Sequence, residues 1–93
     1  MDYIANKNGV QILIETDPIA IKKQVVEQYK EMRKEKKLSQ EQVATAAGMA
    51  RPDISRFESG RYNPSLELMV RYAYALGCEL KIELVPIEES KLN

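Results

Sequence analysis

A chain of 93 residues with fourteen Lys and Arg against fourteen Asp and Glu, and with neither histidine nor tryptophan, is one domain with a modest core rather than two. The missing histidine removes the usual general base, the commonest metal ligand and every histidine-containing triad or zinc finger. The lone Cys78 excludes an internal disulfide and fits a reducing compartment, and no membrane-length apolar run or N-terminal secretory pattern is present, so a cytoplasmic chain with no membrane partner is expected.

In chain order, Met1 to Asn8 show no clear period and are expected to be weakly ordered. Val10, Ile12 and Ile14 alternate with Gln11 and Glu15 after Gly9, which predicts a short strand with one buried face. Asp17 as cap and Pro18 at the first helical position start a helix that runs to about Lys36, with Ile21, Val25, Tyr29 and Met32 as its apolar stripe and Val26 beside it. Net charge zero argues against a bulk polycation, but the charge is unevenly distributed. Residues 22–37 hold seven cations against three glutamates, a local +4, while residues 1–18 and 79–93 each carry −2. A basic middle with acidic flanks suggests one face for phosphates and another for something else. Within the run, Lys36 and Lys37 stand nearest in sequence to the next helix start.

The stretch Leu38 to Gly60 predicts two short helices at a tight corner. Ser39 caps the first and Gln42 completes a reciprocal capping box. Val43, Ala44 and Ala47 form its buried stripe, and Gly48 supplies the left-handed residue that ends it. The second helix starts at Arg51 with Pro52 tolerated in the first turn, is anchored by Ile54 and Phe57, and stops at Ser59-Gly60. Two such helices make a helix-turn-helix, whose second helix lies in the DNA major groove. After a loop at Arg61-Tyr62-Asn63-Pro64, Ser65 caps a fourth helix with Leu66, Met69, Ala73 and Leu76 inward, ended by Gly77. Leu80, Ile82 and Leu84 alternate with Lys81 and Glu83 before Pro86, a second strand signal, and residues 87–93 read as a polar tail.

Leu38-Ser39-Gln40, Val43-Ala44, Gly48, Ile54-Ser55-Arg56, Glu58-Ser59-Gly60 and Asn63-Pro64-Ser65-Leu66 together resemble the lambda-repressor/Cro-like (XRE) helix-turn-helix domain over roughly residues 19–77. The resemblance implies a mainly α fold. It would be a lambda-repressor-like bundle of about four to five helices with short flanking N- and C-terminal β-strands. On this reading residues 1–93 are a single domain, with 1–17 an N-terminal strand extension, 18–77 the bundle and 78–93 a C-terminal strand and tail. An isolated strand is not stable alone. The two flanking strands therefore pair within one subunit, or a strand over residues 79–85 pairs with its copy in a homodimer, with Leu80, Ile82 and Leu84 at the interface; the dimer is favoured.

The resemblance places Gln40 against DNA backbone, where a helix N-terminus also offers amide donors; the plain alternative is a solvated polar residue. Arg51, Pro52, Asp53, Ser55 and Arg56 occupy the first turns of the recognition helix, facing base edges. Arg51 suits guanine and Asp53 the cytosine amino group, although an Asp53–Arg56 bridge three residues apart competes for Asp53. Arg61, Tyr62 and Lys37 are candidate backbone contacts, and Glu58 is expected to hold partners inside the fold. Ala50 departs from the family, which usually has Ser or Thr there, so one cap and one phosphate contact are lost. Cys78 reads as a partly buried small side chain; no cofactor, metal site or catalytic constellation is expected.

Ala75 to Leu84, a strand pattern directly after the fourth helix, resembles the antitoxins of type II toxin–antitoxin operons, HigA-type most closely. That resemblance implies a repressor of its own operon that neutralises a RelE/HigB-like mRNA endonuclease toxin. The alternatives are a stand-alone phage or mobile-element XRE regulator without a toxin, and a protein-interaction module that has lost DNA binding.

Overall fold

The structure, a computed structural model, describes residues 3–7, 10–14, 17–86 and 88. Its fold is mainly α. Two strands, β1 (Tyr3–Lys7) and β2 (Val10–Ile14), precede four helices: α1 (Pro18–Glu35), α2 (Gln40–Ala47), α3 (Arg51–Glu58) and α4 (Leu66–Ala75). The predicted strand at 10–14 is present, but its partner is the segment expected to be weakly ordered. β1 and β2 form an antiparallel hairpin in which Tyr3 stands opposite Ile14 and Lys7 opposite Val10. Gly9, Glu15, Thr16 and nearly all of the polar tail expected over 87–93 lie outside the described residues.

Three of these four helices start at a side-chain cap. The Asp17 carboxylate accepts from the Ile19 amide at 2.8 Å, with Pro18 at the first position of α1. The capping box of α2 is complete in both directions, Gln42 N–H to Ser39 Oγ at 3.0 Å and Ser39 N–H to Gln42 Oε1 at 2.8 Å. Ser65 Oγ accepts from the Leu68 amide at 3.0 Å to open α4. Only α3 begins without a side-chain cap, because Ala50 has nothing to accept with. The α2–α3 corner turns at Gly48, whose φ of 67° is left-handed; Met49 N–H then reaches back to Ala44 O at 2.9 Å. A Cβ at Gly48 would meet no atom within 4 Å, so backbone conformation rather than space calls for glycine there.

The core is built where α1, α2, α3 and α4 meet. Val26, Val43, Ala44, Ile54, Ala73 and Leu76 pack around three aromatic rings, Tyr29, Phe57 and Tyr72. The rings stand edge to face in all three pairs, with centroids 4.8–5.4 Å apart. Each such pair adds ~1 kcal/mol beyond its area burial. The Tyr29 hydroxyl donates to Met69 O at 2.8 Å and so ties α1 to α4.

Three sequence expectations are corrected. On α1 the buried stripe is centred on Val26 and Tyr29, and Ile21 is 45% exposed because the first turns of the helix lie beyond the core. On α4, Leu66 at the first position is 60% exposed, whereas Tyr72 is fully buried; an amphipathic pattern alone did not separate these two faces. The strand predicted around Leu80, Ile82 and Leu84 does not form within the single chain. Residues 78–86 run without regular structure, and β1 and β2 take each other as partners, so the expected pairing of the N- and C-terminal strands is absent among the described residues.

Because α3 lacks a cap, Ala50→Ser is expected to stabilise the domain by ~1 kcal/mol, raising the midpoint of thermal unfolding by about 5 °C. Circular dichroism melts of the two proteins measure this directly.

Candidate nucleic-acid interface

The inward side of α3 is consumed by Ile54, Phe57 and Glu58, all buried, which leaves Arg51, Pro52, Ser55 and Arg56 exposed and Asp53 partly so. Eight residues of α-helix span about 12 Å, close to the width of the major groove of B-DNA. Arg56 is held from two sides. Its guanidinium lies 3.6 Å from Asp53 and 5.4 Å from the centre of the Tyr62 ring. The pair is solvent-exposed and adds little stability, so its effect is to restrict where the fork points. The Asp53–Arg56 bridge weighed in the sequence is therefore formed, and Tyr62 joins it. The loop that carries Tyr62 is itself anchored: Ser59 Oγ donates to Arg56 O at 2.6 Å and accepts from the Arg61 amide at 3.3 Å. The Arg61 side chain is exposed.

Beneath this edge lies a polar cluster that the sequence signalled only in part. Glu58, 8% exposed, receives Arg33 Nε at 2.8 Å and Arg33 Nη2 at 2.9 Å, the Tyr72 hydroxyl at 2.6 Å and the Gln40 amide at 3.2 Å. Arg33 Nη1 also donates to Leu38 O at 2.8 Å, which fixes the chain entering α2. Burial pushes the Glu58 carboxyl up, but the hydrogen bonds from Arg33, Tyr72 and Gln40 and the Arg33 charge outweigh it and leave the group below its ordinary value. Burial also raises Tyr72, as does its bond to the carboxylate. Gln40, expected to face phosphate, thus stands half-buried at the α2–α3 seam with one amide hydrogen committed to Glu58.

The two lysines nearest Ser39 in sequence part company. Lys37 is exposed and holds a left-handed backbone, φ 58°, at the corner after α1. Lys36 instead donates from Nζ to Leu76 O at the end of α4, beside Gly77, where a cation complements the helix dipole. The lysines brought beside α3 are Lys22, Lys23 and Lys30, which line a cleft with Glu58, Ser59 and Gly60. The helical spacing of 22, 23 and 30 showed that they share part of α1, but not what that part faces. Among the described residues there is no cluster able to hold a metal ion, and no helix is long and apolar enough to cross a membrane.

Compared with known proteins, residues 30–82 match the helix-turn-helix family HTH_3. The chain belongs to this XRE-type helix-turn-helix family. It is 39% identical over 64 residues to the ImmF control region 10 kDa protein of Bacillus phage phi105, covering 64% of this chain and 71% of that protein. It is 50% identical over 50 residues to an HTH-type transcriptional regulator of Methanothermobacter thermautotrophicus, covering 54% and 72%. Among solved structures, the restriction-modification controller protein C.AhdI from Aeromonas hydrophila is similar with a TM-score of 0.60 and 33% identity, over 64% of this chain and 91% of that one. As an XRE-type helix-turn-helix protein the chain is a sequence-specific DNA-binding transcription regulator, its work being binding rather than catalysis.

Removing the charge of Glu58 leaves the Arg33 guanidinium facing a neutral group, so Glu58→Gln is expected to cost about 3 kcal/mol at neutral pH. The sign with pH follows from the lowered carboxyl. Its stabilisation is complete above the ordinary value of 4.5 and is lost as pH falls from there through the folded-state value. Urea titrations from pH 7 to pH 3 are expected to show wild-type stability converging on that of the variant at the acid end.

Proposed function

We propose that two copies of the chain form a two-fold dimer and repress transcription by placing their α3 helices in successive major grooves, about 34 Å apart along the operator. The observation that carries this reading is the outward edge of α3, where Arg51, Ser55 and Arg56 are exposed and Arg56 is steadied by Asp53 and Tyr62. A planar guanidinium in a restricted position suits bidentate recognition of guanine. Gln40, Lys37, Arg61 and Tyr62 lie at the ends of the adjoining elements and take the sugar-phosphate contacts, with Pro52 shaping the first turn. The dimer seam is the segment after α4. Leu80 is half-buried, while Ile82 is 67% and Leu84 98% exposed; at every second position these apolar side chains would share one face of a strand whose ladder a second copy completes.

The control-region and controller relatives favour a regulator of mobile-element or defence genes acting without a toxin. A second reading, an antitoxin of the HigA type, draws support from bulky side chains that stay uncovered after α4, where Val85 at 77% exposed follows Leu84. An apolar strip of that kind suits a partner protein such as a RelE/HigB-like toxin. Co-expression with the product of the adjacent gene separates the two: stable co-purification supports the antitoxin, and a regulator that elutes alone defeats it.

Two outcomes test the main proposal. In gel-shift titrations on a duplex selected by the wild-type protein, Arg51→Ala and Arg56→Ala are each expected to lose about ten- to a hundredfold in affinity and to relax preference at particular base pairs. In sedimentation velocity, Ile82→Asp is expected to convert a dimer into a folded monomer, since a strand-edge charge opposite its own copy is repelled.

A further inference from the structure

The cleft at the end of α3 is about 300 Å³ and brings Lys22, Lys23 and Lys30 of α1 against Glu58, Ser59 and Gly60. Its acidic groups are already matched. Glu58 is held by Arg33, and Glu27, also in the wall, lies 3.6 Å from Lys30. Lys22 and Lys23 are in no ion pair among the described residues, so the cleft keeps two ammonium groups in excess. The next residue along the chain from Gly60 is Arg61, with its side chain exposed. A loop arginine and two lysines from a distant helix therefore flank one turn.

We infer that Lys22 and Lys23 are phosphate contacts, forming with Arg61 a second anchoring point on the DNA backbone at the rim of the groove that α3 enters. The length of α3 supports the placement. A helix of eight residues whose first turn reads bases spans about 12 Å, so its last turn arrives at the wall of a groove of that width, where the phosphates are. Charge supports the occupant. Ammonium groups on long, largely solvated stems give little grip on a lone small anion, whereas a duplex presents phosphates in series and releases counterions for each one neutralised. The inference rests on the reading of α3 as the recognition helix. It adds that affinity is shared with the first half of α1, which the run of cations nearest Ser39 did not suggest.

The test is the salt dependence of binding to a duplex that the wild-type protein selects from a random-sequence pool, flanked by about ten further base pairs on each side, roughly one helical turn. Lys22→Gln combined with Lys23→Gln is expected to weaken binding about tenfold near 0.15 M salt. It should also flatten the plot of log affinity against log salt by about four units for the dimer, roughly one for each of the four cations lost, with the ranking of mutated operators unchanged. Lys22→Arg with Lys23→Arg is expected to restore both, and Lys34→Gln, on α1 but outside the cleft, to change neither. Equal melting temperatures of all four proteins exclude an effect through folding. An unchanged slope in the glutamine pair overturns the inference and leaves the recognition helix standing. A Lys34→Gln loss as large as that from the cleft lysines also overturns it, since a diffuse field would then suffice. Failure of the wild-type protein to bind any duplex at low salt removes the DNA reading and this inference with it.

Discussion

The carboxylate of Glu58 sits at the end of α3 and collects a donor from each of the other helices: Arg33 from α1, Gln40 from α2 and Tyr72 from α4. A charge this deeply buried is costly without partners, and a single missing donor leaves that cost exposed. With four hydrogen bonds in place the cost is offset, and the same bonds admit only one arrangement of the four helices. The apolar packing below is less selective. Val43, Ile54 and the aromatic trio bury well in any arrangement that keeps them from water, whereas a bidentate Arg33 fork fits one position of α1 against α3.

This division of labour leaves α3 free to face outward. Its inner residues are taken by Ile54, Phe57 and Glu58, so its position depends on the body while its outer side chains contribute almost nothing to stability. Arg51, Ser55 and Arg56 can therefore vary with the DNA sequence to be read while the fold holds. The uncapped start at Ala50 belongs to the same logic, because a helix positioned by tertiary contacts tolerates the loss of about 1 kcal/mol from a missing cap. The Gly48 corner then sets the angle at which α3 leaves α2.

What could be read from the sequence was the local part. The capping box at Ser39 and Gln42, the caps at Asp17 and Ser65, the Gly48 turn and the limits of all four helices each depend on residues within a few positions of one another. The paired motifs from Leu38 to Leu66 also indicated the fold. Harder to read was anything fixed by residues distant in the chain. Arg33 and Glu58 are 25 positions apart and Tyr72 a further 14, so Glu58 was recognisable as an internal holder but not by its partners. Tyr72 was missed as core because the inward period was traced through Leu66, Met69, Ala73 and Leu76, and the Glu58 carboxylate that takes its hydroxyl lies 14 positions away. Leu66 erred the other way: it lies in register with Val70 and Tyr74 on the exposed side of α4. The segment from Leu80 to Leu84 alternates as a strand does, but alternation does not say whether a neighbour will lie alongside, and among the described residues none does.

The zero net charge bears on DNA binding only once each cation has been located. Arg33 is neutralised by Glu58, Lys30 is paired with Glu27, and Lys36 is turned to the carboxyl end of α4. Those three do structural work and add little to the field outside. Around α3 the balance differs: Arg51 at its start, Arg61 just past its end and Lys22 and Lys23 in the cleft beside it are in no ion pair among the described residues, while the acids nearby are engaged, Asp53 by Arg56, Glu58 by Arg33 and Glu27 by Lys30. At physiological salt, fields decay over about 8 Å, a shorter distance than the length of α3 itself. A phosphate at the groove rim therefore responds chiefly to the charges within about that distance of it. A neutral protein can present a basic edge when the acids beside that edge are already bonded to other cations, as Glu58 is to Arg33 and Glu27 to Lys30.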